Sequence, residues 1–154
     1  GDRGAVAAVR GCLGDGDENV RHLAAWALGQ IAESGDACAL SSISACLRDE
    51  DRNVRQAALG AAGRIAAKGD GHAIAAISRC LLDEDSGVRQ VATWAIGKVG
   101  ARGDERAIAA VMARLQDADD GVRQLATRVL RKLRGKPRRA CHRRCERASA
   151  ERPP

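Results

Sequence analysis

The side chains best suited to metal chemistry lie near the C-terminus, where Cys141, His142 and Cys145 stand within five residues. Thiolates and imidazole are preferred ligands of structural zinc, so these residues could supply three of the four ligands such a site takes. The fourth would have to come from elsewhere, and the surrounding arginines oppose a cation. Oxidation of the two cysteines is a second interpretation. The interpretation that we favour is that these are ordinary residues of the tail with no ligand, so we predict no bound metal.

Catalytic motifs are missing from the sequence. The three histidines, His22, His72 and His142, belong to no Ser-His-Asp order and no HExxH motif. A Walker loop and a dinucleotide-binding glycine fingerprint are also absent. We therefore expect a protein that is not an enzyme and that needs no cofactor.

The pairs Val-Arg and Gly-Asp recur at a constant spacing of 34 residues. Val-Arg begins at positions 20, 54, 88 and 122, and Gly-Asp at positions 1, 35, 69 and 103. A fixed period of this length indicates a repeat architecture. We predict one domain over residues 1–136, followed by a basic Arg/Pro-rich tail over residues 137–154. Its four repeats are 1–34, 35–68, 69–102 and 103–136.

Each repeat has the pattern of two helices joined by an acidic turn. In the third repeat, apolar residues three or four positions apart predict a helix over residues 71–82, and a polar turn separates it from a second helix, Ser86–Val99. One such pair cannot bury its apolar stripe alone, whereas stacked pairs can. We therefore predict an all-α fold, an α-solenoid of four helix-pair repeats with eight helices and a basic C-terminal tail.

The composition fits closely spaced helices. The chain has no Phe or Tyr, and Trp26 and Trp94 are its only aromatic residues, yet 45% of residues are hydrophobic. Small aliphatic side chains let helices approach one another, whereas strands favour β-branched and aromatic residues. A β-sandwich or β-barrel is therefore excluded, and no uninterrupted apolar stretch is long enough to span a membrane.

The segments DENVRHLAAWALGQIAESGD (17–36) and DEDSGVRQVATWAIGKVG (83–100) resemble HEAT repeats. The likeness is closest to the short HEAT-like repeats of the phycobilisome-lyase type, and it covers residues 1 to about 134. It implies an α-solenoid that acts as a scaffold or adaptor. Some members of that type attach bilin chromophores to antenna proteins or remove them, so this role is a further implication of the resemblance.

Charged residues recur at three positions of every repeat. An aspartate column, Asp15 and its equivalents at 49, 83 and 117, precedes the second helix. We predict helix capping and Arg–Asp pairing between adjacent repeats, which fixes the stacking angle. A charged track for a ligand is the alternative. The other two columns form the predicted structural ladder: Asp17, Asp51, Asp85, Asp119, Arg21, Arg55, Arg89 and Arg123.

The two tryptophans share one position in the repeat. On a helical wheel, Trp26 lies roughly 140° from the centre of the apolar stripe of its helix, and Trp94 is its equivalent. We predict a partner-binding surface on the concave side of the solenoid. The alternative is that each tryptophan packs on its own helix or on a neighbouring repeat. The predicted surface comprises Trp26, Trp94, His22, Gln90, Gly29 and Gly97.

The net charge of +6 is concentrated at one end of the chain. Residues 1–127 carry a net charge of −3, whereas residues 128–154 carry +9. Three interpretations remain open: a solubilising or targeting tail, a segment that binds nucleic-acid phosphates, or a segment that docks on an acidic protein surface. The predicted basic end comprises Arg128, Arg131, Arg134, Lys136, Arg138, Arg139, Arg143 and Arg144.

The remaining cysteines bear on the compartment. Cys12, Cys46 and Cys80 share one position in successive repeats, where we expect small, partly buried core residues too far apart for disulfides. Cys38 is expected near the surface. Free thiols indicate a reducing, intracellular compartment.

The function predicted from these features is that of a scaffold or adaptor subunit in a larger assembly, with protein partners. An RNA-associated accessory protein that uses the basic C-terminus is one alternative. A bilin-lyase-like protein or an assembly factor of the photosynthetic antenna is another.

Overall fold

The computed structural model describes residues 3–135, which form eight α-helices and no strands. The predicted all-α solenoid of four helix pairs is therefore confirmed. In the third repeat, the first α-helix ends at Arg79 and a 3-10 turn continues to Leu82, so the predicted helix over residues 71–82 changes type at its end. The helices are α1 Arg3–Gly11, α2 Glu18–Ile31, α3 Ala37–Cys46, α4 Arg52–Ile65, α5 Gly71–Arg79, α6 Ser86–Val99, α7 Glu105–Met112 and α8 Asp120–Arg134.

Aspartates begin most of the helices. The side chain of Asp51 accepts hydrogen bonds from the backbone N–H groups of Asn53 and Val54, at 2.8 and 3.1 Å. Asp70 caps α5 in the same way. These N–H groups have no partner within their helix, so a carboxylate there stabilises the first turn. The Asp17 column and the Gly-Asp pairs that begin at positions 35, 69 and 103 therefore place the helix starts, as the sequence predicted.

Glycines connect one repeat to the next. Gly35, Gly69 and Gly103 have φ values of 87°, 79° and 78°, a conformation that side chains disfavour. The N–H of Gly69 donates to the carbonyl of Val99 at 2.7 Å. The loop that leaves α4 is thereby tied to the C-terminal end of α6. The same bond recurs at the other two glycines.

The helices form two layers with different spacing. The second helices α2, α4, α6 and α8 pack on one another in sequence and make the most extensive contacts. The first helices α1, α3, α5 and α7 stand further apart, and a groove of about 330 Å³ opens between α3 and α5. A curved stack is tighter on its inner side, so the second helices form the inner layer.

Small residues allow the close approach of the second helices. A Cβ at Gly29 would lie 2.8 Å from both the Cα and the Cβ of Ala61 on the next helix. Gly63 and Gly97 occupy the same position in the following repeats and meet their neighbours as closely. The scarcity of large side chains in the sequence therefore has a structural reason, because each junction between second helices requires a glycine.

None of the helices in residues 3–135 has the length and apolar content that crossing a bilayer requires. The boundary predicted between residues 136 and 137, and the tail beyond it, lie outside the described residues.

We expect Gly29→Ala to lower the free energy of unfolding by about 1–3 kcal/mol, because the added methyl overlaps the backbone of Ala61. Chemical denaturation followed by circular dichroism measures the change. Gly60→Ala is the matched control, since Gly60 is also inside a second helix but has no atom within 4 Å of the added Cβ. There the gain in helix propensity should stabilise by roughly 0.5–1 kcal/mol. Equal effects of the two substitutions would contradict the close packing.

Candidate protein-interaction surface

Arginines at one position of each repeat join neighbouring repeats. Arg21 holds the carboxylate of Asp49 with two bonds, from Nε at 2.8 Å and from Nη2 at 2.9 Å. Its Nη1 also donates to the carbonyl of Asp15 at 2.8 Å. One guanidinium therefore links the acidic turn of its own repeat to that of the next.

The same arrangement recurs along the array. Arg55 lies 2.8 Å from Asp83, and Arg89 lies 2.8 Å from Asp117. The arginine column of the predicted ladder thus pairs with the Asp15 column, one repeat further on. The Asp17 column caps helices instead, with Asp17 accepting the N–H of Asn19 at 2.8 Å. Arg21, Arg55 and Arg89 therefore join neighbouring repeats, whereas the Asp17 column stabilises helix starts within each repeat.

The pairing changes the acidity of its members. Hydrogen bonds from Arg21 hold the pKa of Asp49 below its ordinary value, and Arg89 does the same to Asp117. The carboxylates in turn raise the pKa of Arg21 and Arg89. Each partner stabilises the charged form of the other, so these pairs contribute to folding only while the carboxylates are ionised.

The cysteine column makes a second set of contacts between repeats. The Sγ of Cys80 lies 3.6 Å from the carbonyl oxygen of Leu47, and that of Cys46 lies 3.9 Å from that of Leu13. Arg114, which replaces cysteine in the fourth repeat, donates to the carbonyl of Leu81 at 2.8 Å.

The described cysteines differ in burial, and therefore in the reactivity of their thiols. Burial raises the pKa of the Cys80 thiol to about 11, so this thiol is protonated and unreactive at neutral pH. Cys38 is exposed, as expected, and all four described cysteines are free. Cys12 is also exposed, so the expectation that it is a partly buried core residue is wrong.

The predicted metal ligands Cys141, His142 and Cys145 lie outside the described residues. Within residues 3–135, no three or more His, Cys, Asp or Glu residues are arranged to hold a metal ion.

Beyond the first residues of α2 and α8, which are Glu18 and Asp120, the solvent side of the inner layer has no acidic residue. Five positions of each second helix are exposed or half-buried there, and together they form what we name the inner face. Across its twenty positions there is no Asp or Glu, whereas Arg64, Lys98, Arg128 and Lys132 are basic. The positions are Asn19, His22, Leu23, Trp26, Gln30 and their equivalents 34, 68 and 102 residues later.

The two tryptophans have different surroundings on this face. Trp26 is 56% exposed, next to Leu23, which is 61% exposed. Trp94 is half-buried, because its ring packs on Gly63 of the preceding repeat, and the Nζ of Lys98 lies 5.4 Å from its ring centroid. Packing on a neighbouring repeat therefore applies to Trp94 but not to Trp26.

The indoles do not form one patch. They stand on α2 and α6, with α4 between them. Neighbouring helices pack roughly 8–10 Å apart, so one intervening helix keeps the two indoles roughly 16–20 Å apart. A partner that contacts both would have to follow the inner face across three helices.

The glycines predicted beside the tryptophans are not part of an open surface. Gly29 and Gly97 are buried against Ala61 and Val129 of the following repeats, so the expectation that they line the concave side is wrong. A helical wheel gives the direction in which each residue points from its own helix. It does not show whether a neighbouring helix covers that side.

The polar members of the predicted surface lie at junctions between repeats. His22 is half-buried, with its Nδ1 3.1 Å from the carbonyl oxygen of Asn53 on the next helix. Gln90 is exposed, and its amide lies beside Gly121. Both lie on the inner face.

Three lysines that the sequence interpretation missed lie close together, and two of them line a cleft beside Trp94. We name Lys68, Lys98 and Lys132 the lysine cluster. Burial lowers the pKa of Lys68, and repulsion from Lys132 and Lys98 lowers it further. Lys132 donates to the carbonyl of Gly97 at 2.6 Å, and Lys68 donates to the carbonyl of Lys98. In residues 3–135, no carboxylate forms an ion pair with these lysines.

The lysine cluster adjoins part of the predicted basic end. A cleft of about 170 Å³ is lined by Trp94, Lys98, Arg128 and Lys132, among others. Arg131 and Arg134 are exposed near the end of α8. The other basic residues predicted to act, from Lys136 onward, lie outside the described residues. A signal for the lysines was present, since one repeat position reads Gln30, Arg64, Lys98 and Lys132.

The stacked helix pairs define the class of protein as an α-solenoid. The model of the family described as HEAT repeats matches residues 1–61 and 40–131, so the chain belongs to the HEAT-repeat family. The resemblance noted from the sequence is thereby confirmed. A comparison with curated proteins finds no match.

Several solved structures share the fold. A designed armadillo repeat protein in complex with the peptide (KR)4 is 23% identical with a TM-score of 0.69, and the match covers 84% of this chain and 64% of that one. Human deoxyhypusine hydroxylase in complex with glycerol is 20% identical with a TM-score of 0.67, covering 86% and 44%. The complex of CpcE and CpcF of phycocyanin lyase from Nostoc sp. PCC7120 is 18% identical with a TM-score of 0.59, covering 84% and 65%.

These likenesses show the fold alone, because all three identities are below 25%. The chain spans less than two thirds of the length of each of these structures. Repeat solenoids of this kind present extended surfaces to other proteins, which suggests a protein-interaction scaffold.

We expect Arg55→Ala to lower the free energy of unfolding by about 2–4 kcal/mol, because it leaves the carboxylate of Asp83 and two backbone carbonyls without their donor. The melting temperature should fall accordingly. Arg52→Ala is the control, because Arg52 is 66% exposed and its pair with Asp85 should contribute at most about 1 kcal/mol. Unchanged stability in Arg55→Ala would favour the ligand-track alternative.

Acid should destabilise the protein through Asp49 and Asp117. An unfolded aspartate titrates near pH ~3.9, and both carboxylates titrate lower in the folded state. Their contribution is therefore complete above about pH 4 and is lost as the pH falls through the lowered values. We expect the melting temperature, followed by circular dichroism, to fall steeply below about pH 4.

Asp117→Asn provides the comparison for this pH dependence. It should be less stable than the wild type at pH 7 and should lose a smaller part of its stability on acidification. Parallel curves of melting temperature against pH for the two proteins would contradict the assignment.

Proposed function

We propose that the protein is a non-enzymatic interaction scaffold whose inner face binds an acidic segment of a protein partner. The observation that carries the proposal is the charge of that face, which has four basic and no acidic residues across twenty positions. The described array as a whole is only slightly basic, with a net charge of +2 over residues 3–135, and its carboxylates are confined mainly to the turns and helix starts. Such segregation favours a partner of negative charge.

The basic residues are concentrated toward the C-terminal half of the face. Lys98, Lys132 and Arg128 line a cleft beside the half-buried ring of Trp94, and Lys68 donates to the carbonyl of Lys98. No carboxylate of residues 3–135 pairs with these four cations. A carboxylate from a partner would relieve the repulsion that lowers the pKa of Lys68. The indole offers an apolar surface beside these charges, a combination that is frequent where binding energy is concentrated.

The stack keeps this face in a fixed shape. Each inner helix is joined to the next by a glycine contact and an Arg–Asp pair, so the basic side chains stand on rigid elements. A preformed surface binds with less loss of conformational entropy than one that must be ordered first. The extended geometry suits a segment of chain that runs across several helices.

The designed armadillo repeat protein gives a useful contrast, since it is in complex with the basic peptide (KR)4. Its fold supports the idea that a stack of this shape can hold a peptide. The charge of the inner face here opposes a basic peptide and favours an acidic one. The CpcE and CpcF complex supports only the fold, and no residue in the described part favours a chromophore.

We expect the fluorescently labelled peptide (ED)4 to bind the full chain and (KR)4 not to bind, as measured by anisotropy at about 0.05 M salt, where charge interactions are weakly screened. The double variant Lys98→Ala, Lys132→Ala should weaken (ED)4 binding by about five- to tenfold, because each cation contributes up to roughly 1 kcal/mol at a partly exposed site.

Arg48→Ala, Arg79→Ala is the matched control. It removes the same charge from two exposed residues that line a separate cleft between the ends of α3 and α5 in the outer layer, and it should leave (ED)4 binding within about twofold. The basic tail is present in both variants, so the difference between them isolates the inner face. Equal losses in both variants, or tighter binding of an oligouridine than of (ED)4, would contradict the proposal and favour the RNA alternative.

A further inference from the structure

Three amino groups meet at the C-terminal end of α6. The Nζ of Lys132 donates to the carbonyl of Gly97 at 2.6 Å, and the Nζ of Lys68 donates to the carbonyl of Lys98. These two carbonyls belong to consecutive residues, which are separated in an α-helix by a rise of ~1.5 Å. The ammonium groups of Lys68 and Lys132 therefore lie close to each other, at the same helical turn that carries Lys98.

The three lysines come from three consecutive repeats. Lys68 follows α4 in the loop to α5, Lys98 lies in the last turn of α6, and Lys132 lies in α8. The carbonyls at the end of an α-helix carry partial negative charge and attract cations, which explains why the lysines are held here. An ammonium group has three N–H donors. The bond to a carbonyl therefore leaves two donors on Lys68 and two on Lys132 for a further acceptor.

The positive charge at this point is not balanced within the described part of the chain. In the ladder, each paired arginine faces a carboxylate, as Arg21 faces Asp49. The lysine cluster and Arg128, by contrast, have no carboxylate partner in residues 3–135. Burial lowers the pKa of Lys68, and repulsion from the other two lysines lowers it further. A bound group with two negative charges at one point would offset more of this repulsion than a single carboxylate.

The cations are concentrated at one place and do not form a track along the array. Lys98, Arg128 and Lys132 line the cleft beside Trp94, whereas the inner-face positions of α2 and α4 contain no lysine and a single arginine, Arg64. A nucleic-acid strand spreads its charge over many nucleotides and is bound by a basic groove that follows the backbone. A concentrated site favours a phosphomonoester, which carries about −1.5 to −2 charges at pH 7 on three strong acceptor oxygens.

We propose that the lysine cluster binds the phosphoryl group of a phosphoserine or phosphothreonine in the partner segment, with Arg128 and the ring of Trp94 beside it. This inference rests on the proposed function, since it names the group that the acidic segment places at the C-terminal end of the inner face. The phosphoryl oxygens accept hydrogen bonds from the three lysines. Lys68 is not an inner-face residue, so it distinguishes this site from the general attraction of the face for carboxylates.

Three fluorescently labelled peptides of the form (ED)2-X-(ED)2 test the proposal with the full chain, where X is phosphoserine, serine or a pair of aspartates. The peptide with two aspartates has the formal charge of the phosphopeptide but divides it between two side chains. We expect the phosphopeptide to bind about five- to tenfold more tightly than the two-aspartate peptide, because charge-assisted hydrogen bonds from three lysines converge on one group. Anisotropy at about 0.05 M salt measures both affinities.

Lys68→Ala and Arg64→Ala form a matched pair of variants. Each removes one positive charge from an exposed side chain near the end of α4, but Arg64 bonds to Gln30 of the preceding repeat. Lys68→Ala should reduce the preference for the phosphopeptide over the two-aspartate peptide to about twofold or less. Arg64→Ala should weaken both peptides to a similar extent and preserve the preference. The melting temperature of each variant verifies that the array is folded.

The outcomes separate this inference from the proposed function. Equal binding of the phosphopeptide and the two-aspartate peptide would overturn the inference and leave the acidic-segment proposal intact. A preference that both variants reduce equally would do the same. Failure of all three peptides to bind would overturn the proposed function together with the inference. Displacement of the phosphopeptide by oligouridine at the same total phosphate concentration would overturn the phosphomonoester site in favour of RNA.

Discussion

The structure depends on the contact between consecutive second helices, where a missing side chain and a guanidinium act together. Glycine at the middle of the junction lets the backbones approach, and the Arg–Asp pair at the edge sets the angle at which they meet. Close approach alone would let one helix slide on the other. An ion pair alone would be a surface contact of little energy. Together they specify one stacking geometry, which the array repeats.

That geometry determines what each side of the molecule can do. The inner layer is tight and carries its basic residues on closely spaced helices, whereas the outer layer is open and grooved. The acidic residues are used in caps and in pairs with arginine, so they neutralise little of the inner face. The charge of the interaction surface is therefore partly a result of how the stack is held together.

The fold and the Arg–Asp pairing can be predicted from the sequence because the same residue pattern occurs in all four repeats. The second helix of the third repeat begins and ends where its pattern indicates. The partner of Arg21 follows from the register, since an aspartate stands 28 residues later in the next turn. Contacts that vary between repeats are harder to foresee. Gly29 and Gly97 were wrongly expected on the concave surface, because a helical wheel of one helix does not include the helix that packs against it. The lysine cluster was missed because Lys68 comes from a different position of the repeat than Lys98 and Lys132, and only the folded stack brings it beside them.

The uneven burial of the four pairs has a consequence for motion. The helix α1 has no buried residue along its whole length, whereas α4 has eight. A helix that buries no residue in the described stack opens at a lower free energy than one that buries eight. The amide protons of α1 should therefore exchange with solvent through local fraying, while those of α4 and α6 wait for cooperative unfolding of the array.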